Sequence, residues 1–167
     1  MASATLNLNL QALVASALDL ETPQSTLNLN SLYSLTDGSG DQKYQQLYSD
    51  TRTTDGTGES LDLVGSLKNA FGQTISFTKI KVILIRAAST NTLSVHVGGA
   101  ATNQFVAPFG AVTDLVKILP GGLILFVASN ATGYACAAGS TDLLKVVAST
   151  TGSVTYDIVI LGEGTAA

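Results

Sequence analysis

VTYDIVIL, residues 154–161, is the stretch of this sequence that decides the fold class. Successive side chains of a β-strand point to opposite faces, so every second residue of the stretch shares a face. One face is wholly apolar and carries Val154, Tyr156, Ile158 and Ile160. The opposite face also ends in an apolar residue, Leu161, and we therefore predict a strand that packs against other structure on both sides.

Further β segments precede this strand, and turns rich in Gly, Asn and Thr separate them. The predicted strands are Tyr44 to Arg52, Ser60 to Leu67, Ile75 to Ala87, Leu93 to Val97, Leu123 to Ala128, Tyr134 to Ala138 and Leu143 to Ala148. With residues 154–161 they make eight, which at this spacing predict an all-β, jelly-roll-like sandwich of two four-stranded sheets. The long apolar runs at 75–87 and 154–161 are expected at the centre of a sheet.

Residues 1–40 have a different texture, because leucine alternates with asparagine and other polar residues. Thr-Leu-Asn-Leu-Asn occurs at residues 5–9 and again at 26–30, with Pro23 between the two copies. A helix through Leu10, Leu13 and Leu18 competes locally, but the alternation favours two strands that form an N-terminal β-arm or hairpin. We predict a linker at residues 37–40 and a main jelly-roll domain at 41–167.

The apolar face of this arm is expected to mediate assembly rather than fold stability, because a hairpin by itself is marginal in water. Its predicted interface residues are Leu6, Leu8, Leu10, Leu27 and Leu29. On this hypothesis, a chain without residues 1–36 still folds as a β domain.

A second apolar cluster, formed by Phe105, Val106 and Phe109, lies in the least strand-like part of the main domain, residues 103–119. An apolar loop has to be covered by its own domain or by a partner. Two interpretations stay open: a loop folded over one end of the sandwich, or a contact between subunits.

Composition excludes several classes of partner. Of 167 residues 46% are hydrophobic and only 12% are charged, about half the usual 25%. The net charge of −4 disfavours nucleic acid. Apolar runs are far shorter than the ~20 residues of a membrane helix, so no membrane partner is expected.

Few residues could do chemistry. His96, the only histidine, is predicted on a polar strand face with no nucleophile motif nearby. The carboxylate pairs Asp19/Glu21 and Asp55/Glu59 lack the aromatic groove of a glycosidase. Asp50, Asp55 and Glu59 flank a Thr/Gly-rich loop that could offer calcium ligands, although the spacing matches no EF-hand. Cys136, the only cysteine, is predicted to be a small buried hydrophobe. We expect no catalytic residue, cofactor or metal.

Short phrases along nearly the whole chain resemble small β-rich structural proteins of tailed bacteriophages. These phrases include SDTRT at residues 49–53, ESLDLVGSL at 59–67, NAFG at 69–72, FTKIK at 77–81, PGG at 120–122, NATGY at 130–134 and VTYDIVILG at 154–162. The resemblance implies a virion component assembled in the host cytoplasm, a jelly-roll subunit that decorates or cements a capsid.

The leading hypothesis is thus a non-enzymatic decoration protein that forms a homo-oligomer, a dimer or trimer, and contacts the major capsid protein. The alternative is a tail-associated or surface-exposed host-adhesion module that binds carbohydrate through polar loop groups. An enzyme ranks third.

Overall fold

The computed structural model describes residues 2–167, and all of the regular secondary structure in this range is β-strand. The all-β prediction is therefore confirmed. The strands are β1 (Ser3–Ala15), β2 (Gln24–Asp37), β3 (Lys43–Tyr44), β4 (Gln46–Thr54), β5 (Glu59–Asp62), β6 (Val64–Lys68), β7 (Thr74–Ala87), β8 (Val95–Gly98), β9 (Leu115–Ile118), β10 (Leu123–Val127), β11 (Tyr134–Ala135), β12 (Leu143–Ala148) and β13 (Val154–Ala166).

Two sheets form a sandwich around one core. The larger has the order β10-β7-β13-β4, with β6 and β11 also paired to β7, and the smaller has the order β5-β12-β8-β9. Both inner faces contribute to one cluster of buried side chains, among them Ile83, Ile158, Val97 and Val146. The central strands of the larger sheet are β7 and β13, as predicted from their apolar runs.

The stretch 60–67, predicted as one strand, is two strands in different sheets. β5 pairs with β12 in the smaller sheet, whereas β6 pairs with β7 in the larger one. Leu63 lies at the crossing and is fully buried, and its backbone bonds to Asp142 and Phe77. The chain changes sheets there without a polar turn, so the apolar alternation continues through the break and conceals it.

Two other strands differ from the predictions. β9 lies within residues 103–119, which read as a loop, and it pairs with β8 along the edge of the smaller sheet. The predicted strand at 134–138 contains only the two-residue β11. The Pro120-Gly121 turn joins β9 to β10 and carries the chain from one sheet to the other, with Gly121 at φ 75°.

The N-terminal segment is a hairpin in which β1 and β2 pair from Ser3↔Thr36 to Ala15↔Gln24 without a register shift. β2 also pairs in parallel with the short β3. The strands end before residues 16–23, which form a connecting loop closed by a bond from the Ser16 N–H to the Pro23 carbonyl. The alternation at Leu18 and Leu20 therefore belongs to the loop and not to a strand, and Leu20 is fully exposed there.

Candidate assembly surface

The hairpin is amphipathic across both of its strands. Directly paired residues share a face, and the pairs Ala4↔Leu35, Leu6↔Tyr33, Leu10↔Leu29 and Ala12↔Leu27 are all apolar. We call this side the apolar hairpin face, and it consists of Ala4, Leu6, Leu8, Leu10, Ala12, Val14, Leu27, Leu29, Tyr33 and Leu35. The opposite side carries mainly Asn, Gln, Thr and Ser. The structure therefore brings the five predicted leucines, from both strands, onto one face.

Most of the apolar hairpin face has no cover within the chain. Leu8, Leu10, Leu27 and Leu29 are each about half exposed, at 48, 52, 56 and 53%. Among residues 2–167, fifteen large apolar side chains are exposed, and nine of them lie between residues 8 and 32. Such a concentration of exposed apolar surface makes the hairpin the candidate interaction site of this chain.

One end of the same face is covered by the sandwich. We call this end the root, and it consists of Ala4, Leu6, Tyr33 and Leu35. Leu35 is buried to 1% against Tyr44, Val82 and Leu161, and Ala4, Leu6 and Tyr33 pack around this cluster. Val82 and Leu161 lie on the outer side of β7 and β13, so the hairpin covers one end of that sheet face. Leu6, one of the predicted interface residues, thus contributes to packing within the chain.

A buried ion pair secures the segment that follows the hairpin. Lys81 Nζ lies 2.9 Å from Glu163 Oε1, and the two side chains are 0 and 7% exposed. Lys81 also donates to the carbonyls of Gly40 and Asn130, while the Gly40 N–H donates to Glu163 Oε1 at 2.8 Å. Gly40, the last residue of the predicted linker at residues 37–40, is therefore bonded to both members of the ion pair.

The surroundings of Glu163 lower the pKa of its carboxyl group. Burial alone would raise this pKa, but the Gly40 N–H and the ammonium groups of Lys81 and Lys79 outweigh it. A lowered folded-state pKa means that the ion pair stabilises the fold fully above the ordinary value of 4.5. The contribution is lost as pH falls through the folded-state pKa.

We expect the difference in Tm between the wild type and Glu163→Gln to narrow as pH falls below about 4.5. Thermal melts of both proteins between neutral and acidic pH measure it. Other carboxyl groups titrate in both proteins and cancel in the difference. A Tm difference that stays constant down to the acid limit would contradict the assignment of Glu163 as the titrating group.

The second predicted cluster divides between core and surface. Phe105 is fully buried in the sandwich core, and its N–H donates to the Leu143 carbonyl. Phe109 is partly buried and packs edge-on against Phe126, with ring centroids 5.8 Å apart, and Val106 is partly buried. The loop thus folds over its own domain, and we do not retain Phe105 as an interface residue because it is inaccessible to a partner.

The acidic residues considered as catalysts or calcium ligands have structural partners. Glu59 accepts two bonds from Arg52 and one from the buried Tyr156 hydroxyl, at 2.8 Å, so it ties β5 of the smaller sheet to β4 and β13 of the larger. Burial is the main cause of the raised pKa of Tyr156, and the hydrogen bond to Glu59 is the second cause. Asp50 accepts from the same Arg52, while Asp55 caps its own turn through the Thr57 N–H and hydroxyl. Asp19 and Glu21 lie in the exposed hairpin loop.

Cys136 is a buried thiol, as its apolar neighbours predicted. Its sulfur donates to the Phe77 carbonyl, and burial, with the nearby charge of Asp142, raises its pKa to about 12. The reactive thiolate form is therefore scarce at neutral pH.

Within residues 2–167, no group of three or more His, Cys, Asp or Glu side chains converges on a possible metal position. The same residues include no helix with the length and apolarity that crossing a membrane requires.

His96 lies on the outer side of the smaller sheet, between Val147 of β12 and Lys117 of β9. Its Nε2 is buried without a hydrogen-bond partner. We expect His96→Gln to change the free energy of unfolding by less than about 1 kcal/mol and to leave assembly unchanged, because this ring makes no bond that the variant loses. Chemical denaturation and sedimentation equilibrium measure the two effects. A variant that folds and assembles but lacks a biological function would point to a chemical role for His96.

The buried Lys81–Glu163 pair, which holds the segment after the hairpin, was not predicted from the sequence. The one local signal is a lysine in the middle of the apolar strand at Ile80-Lys81-Val82, where a charge has to find a partner.

Comparison of the chain with models of protein families, with curated proteins and with solved structures finds no match.

Proposed function

We propose that this protein is a non-enzymatic structural subunit of a tailed-bacteriophage virion, a capsid decoration or cement protein. The observation that carries the proposal is the apolar hairpin face. A regularly paired hairpin extends beyond the sandwich and leaves Leu8, Leu10, Leu27 and Leu29 half exposed. An element of this kind serves attachment to other protein, because its exposed apolar surface is otherwise a liability in solution.

We further propose that the sandwich is a jelly roll, and its strand order supports this. Its eight principal strands, in chain order, are β4, β5, β7, β8, β9, β10, β12 and β13. The first, eighth, third and sixth lie side by side in one sheet, and the second, seventh, fourth and fifth in the other. This interleaving of chain-distant strands in two facing four-stranded layers is expected of two nested Greek keys. The small β6 and β11 are additions along β7.

The roles of the polar residues support a structural function. Glu59, Arg52 and Tyr156 join the two sheets, and Lys81 and Glu163 hold Gly40, in the segment that follows the hairpin. These charged groups hold strands together, as expected of a subunit whose function depends on a fixed shape.

A trimmed hairpin tests the proposal. Asn7 and Leu32 are direct partners, so an Asn-Gly turn can replace residues 8–31 and close the two strands above an intact root. We expect the wild type in purified phage particles at a copy number comparable with the major shell protein, and the trimmed protein to fold but to be missing from them. Wild-type protein absent from particles would overturn the proposal. A few copies confined to the tail would favour the adhesion module.

A further inference from the structure

We propose that the apolar hairpin face packs against the same face of a second copy of this chain. The inference rests on the proposed function, because it names the partner of the element assigned there to assembly. The contact is a face-to-face layer of two hairpins, about 10 Å apart like other packed sheets. The leucines at positions 8, 10, 27 and 29 lie in its centre.

The surface area of the chain indicates a missing partner. A compact monomer of 17.1 kDa exposes about 7,800 Å². This chain exposes 9144 Å², which is about 1,300 Å² more. A stable protein–protein contact buries about 800 Å² on each partner. The excess is therefore large enough to supply one such contact.

The charge pattern permits a second copy and disfavours a charged surface. The strands β1 and β2 contain no lysine, arginine or glutamate, and their only charge is Asp37 at the root end of β2. A neutral face offers nothing to a charged partner by complementarity. It also carries no like charges that would oppose pairing with itself. Two identical faces can thus meet without any buried charge.

The geometry also suits self-packing. The hairpin pairs through 13 consecutive residues of β1 without a bulge, so its face is regular and about 44 Å long. The root of this same face already packs on a sheet face of its own chain, against Val82 and Leu161. The proposed contact continues this packing outward, onto the part of the face that the chain itself leaves open.

The test uses two double variants of the full chain, matched in chemistry and exposure. Leu10→Thr with Leu29→Thr alters the apolar hairpin face. Leu13→Thr with Leu32→Thr alters the opposite face, where the two leucines are 58 and 63% exposed. Threonine keeps the β propensity of all four positions. Circular dichroism and thermal melting establish that both variants keep the wild-type fold.

Sedimentation equilibrium measures self-association of the three proteins. We expect a homo-oligomer for the wild type, and a dissociation constant at least about a thousandfold higher for Leu10→Thr/Leu29→Thr, because each contact loses four leucine side chains. The opposite-face variant should stay within about threefold of the wild type. A monomeric wild type, or equal effects of both variants, would overturn the inference. An oligomer whose dissociation constant changes in neither variant would also overturn the inference, because it would indicate pairing through the edge of β1.

A fluorescent probe gives a second measurement. The chain has no tryptophan, so Leu10→Trp introduces a single reporter on the proposed contact, and Leu13→Trp places one on the other side. The emission of the first should shift to the blue as protein concentration rises, while that of the second stays constant. The opposite result would overturn the inference. A monomer that still enters particles through its hairpin contradicts only the inference, whereas an oligomer that never enters particles contradicts only the proposed function.

Discussion

Glu163→Ala is expected to lower the free energy of unfolding by about 3 to 5 kcal/mol, because it leaves the ammonium group of Lys81 buried without a counter-charge. The Lys81 side chain is fully buried, and its remaining partners are the carbonyls of Gly40 and Asn130. The variant also removes the acceptor of the Gly40 N–H, which lies 2.8 Å from the carboxylate. Urea denaturation followed by circular dichroism measures the loss.

Lys79→Ala is the matched control for this prediction. Lys79 contacts the same carboxylate at 3.9 Å, but its side chain is 39% exposed. Water screens such a pair, so the change should cost less than about 1 kcal/mol. If Glu163→Ala lowered the free energy of unfolding no more than Lys79→Ala does, the buried pair and its bonds to Gly40 would not be a main source of stability.

Deletion of residues 1–36 is the change with the second large expected effect. It removes Leu35, which is buried to 1%, and uncovers Val82 and Leu161 on the outer side of the larger sheet. Each such side chain stabilises the fold by about 1.5 to 3 kcal/mol when fully buried. We therefore expect a loss of about 5 kcal/mol in the free energy of unfolding, measured by chemical denaturation.

The trimmed hairpin, with Asn-Gly in place of residues 8–31, is the control for the deletion. It keeps Leu6, Tyr33 and Leu35 at the root and removes only the projecting part, so its free energy of unfolding should stay within about 1 kcal/mol of the wild type. Equal stability of the deleted, trimmed and wild-type chains would show that the root contributes nothing. The structure thus revises the expectation that residues 1–40 leave fold stability untouched, because the root belongs to a core.

The local pattern of the sequence was sufficient to predict several features of the structure. Alternation with a period of two is a property of neighbouring residues, and it identified β7, β13 and the two strands of the hairpin. It also selected Leu8, Leu10, Leu27 and Leu29, because residues two apart on a strand necessarily share a face. The low share of charged residues and the scarcity of reactive side chains could likewise be read directly from the sequence.

Only the tertiary structure decided which distant residues meet. Residues 60–67 alternate throughout, yet the chain changes sheets at Leu63, because each half finds a different partner strand. The sequence left open whether the apolar loop around Phe105 is covered by its own domain or by a partner, and Phe105 is buried because that loop folds over the sandwich. Lys81 and Glu163 are 82 positions apart, and although a lysine within an apolar strand signals the need for a partner, the sequence does not show which residue that partner is. Strand periodicity is local, whereas burial and charge pairing depend on packing between segments far apart in the chain.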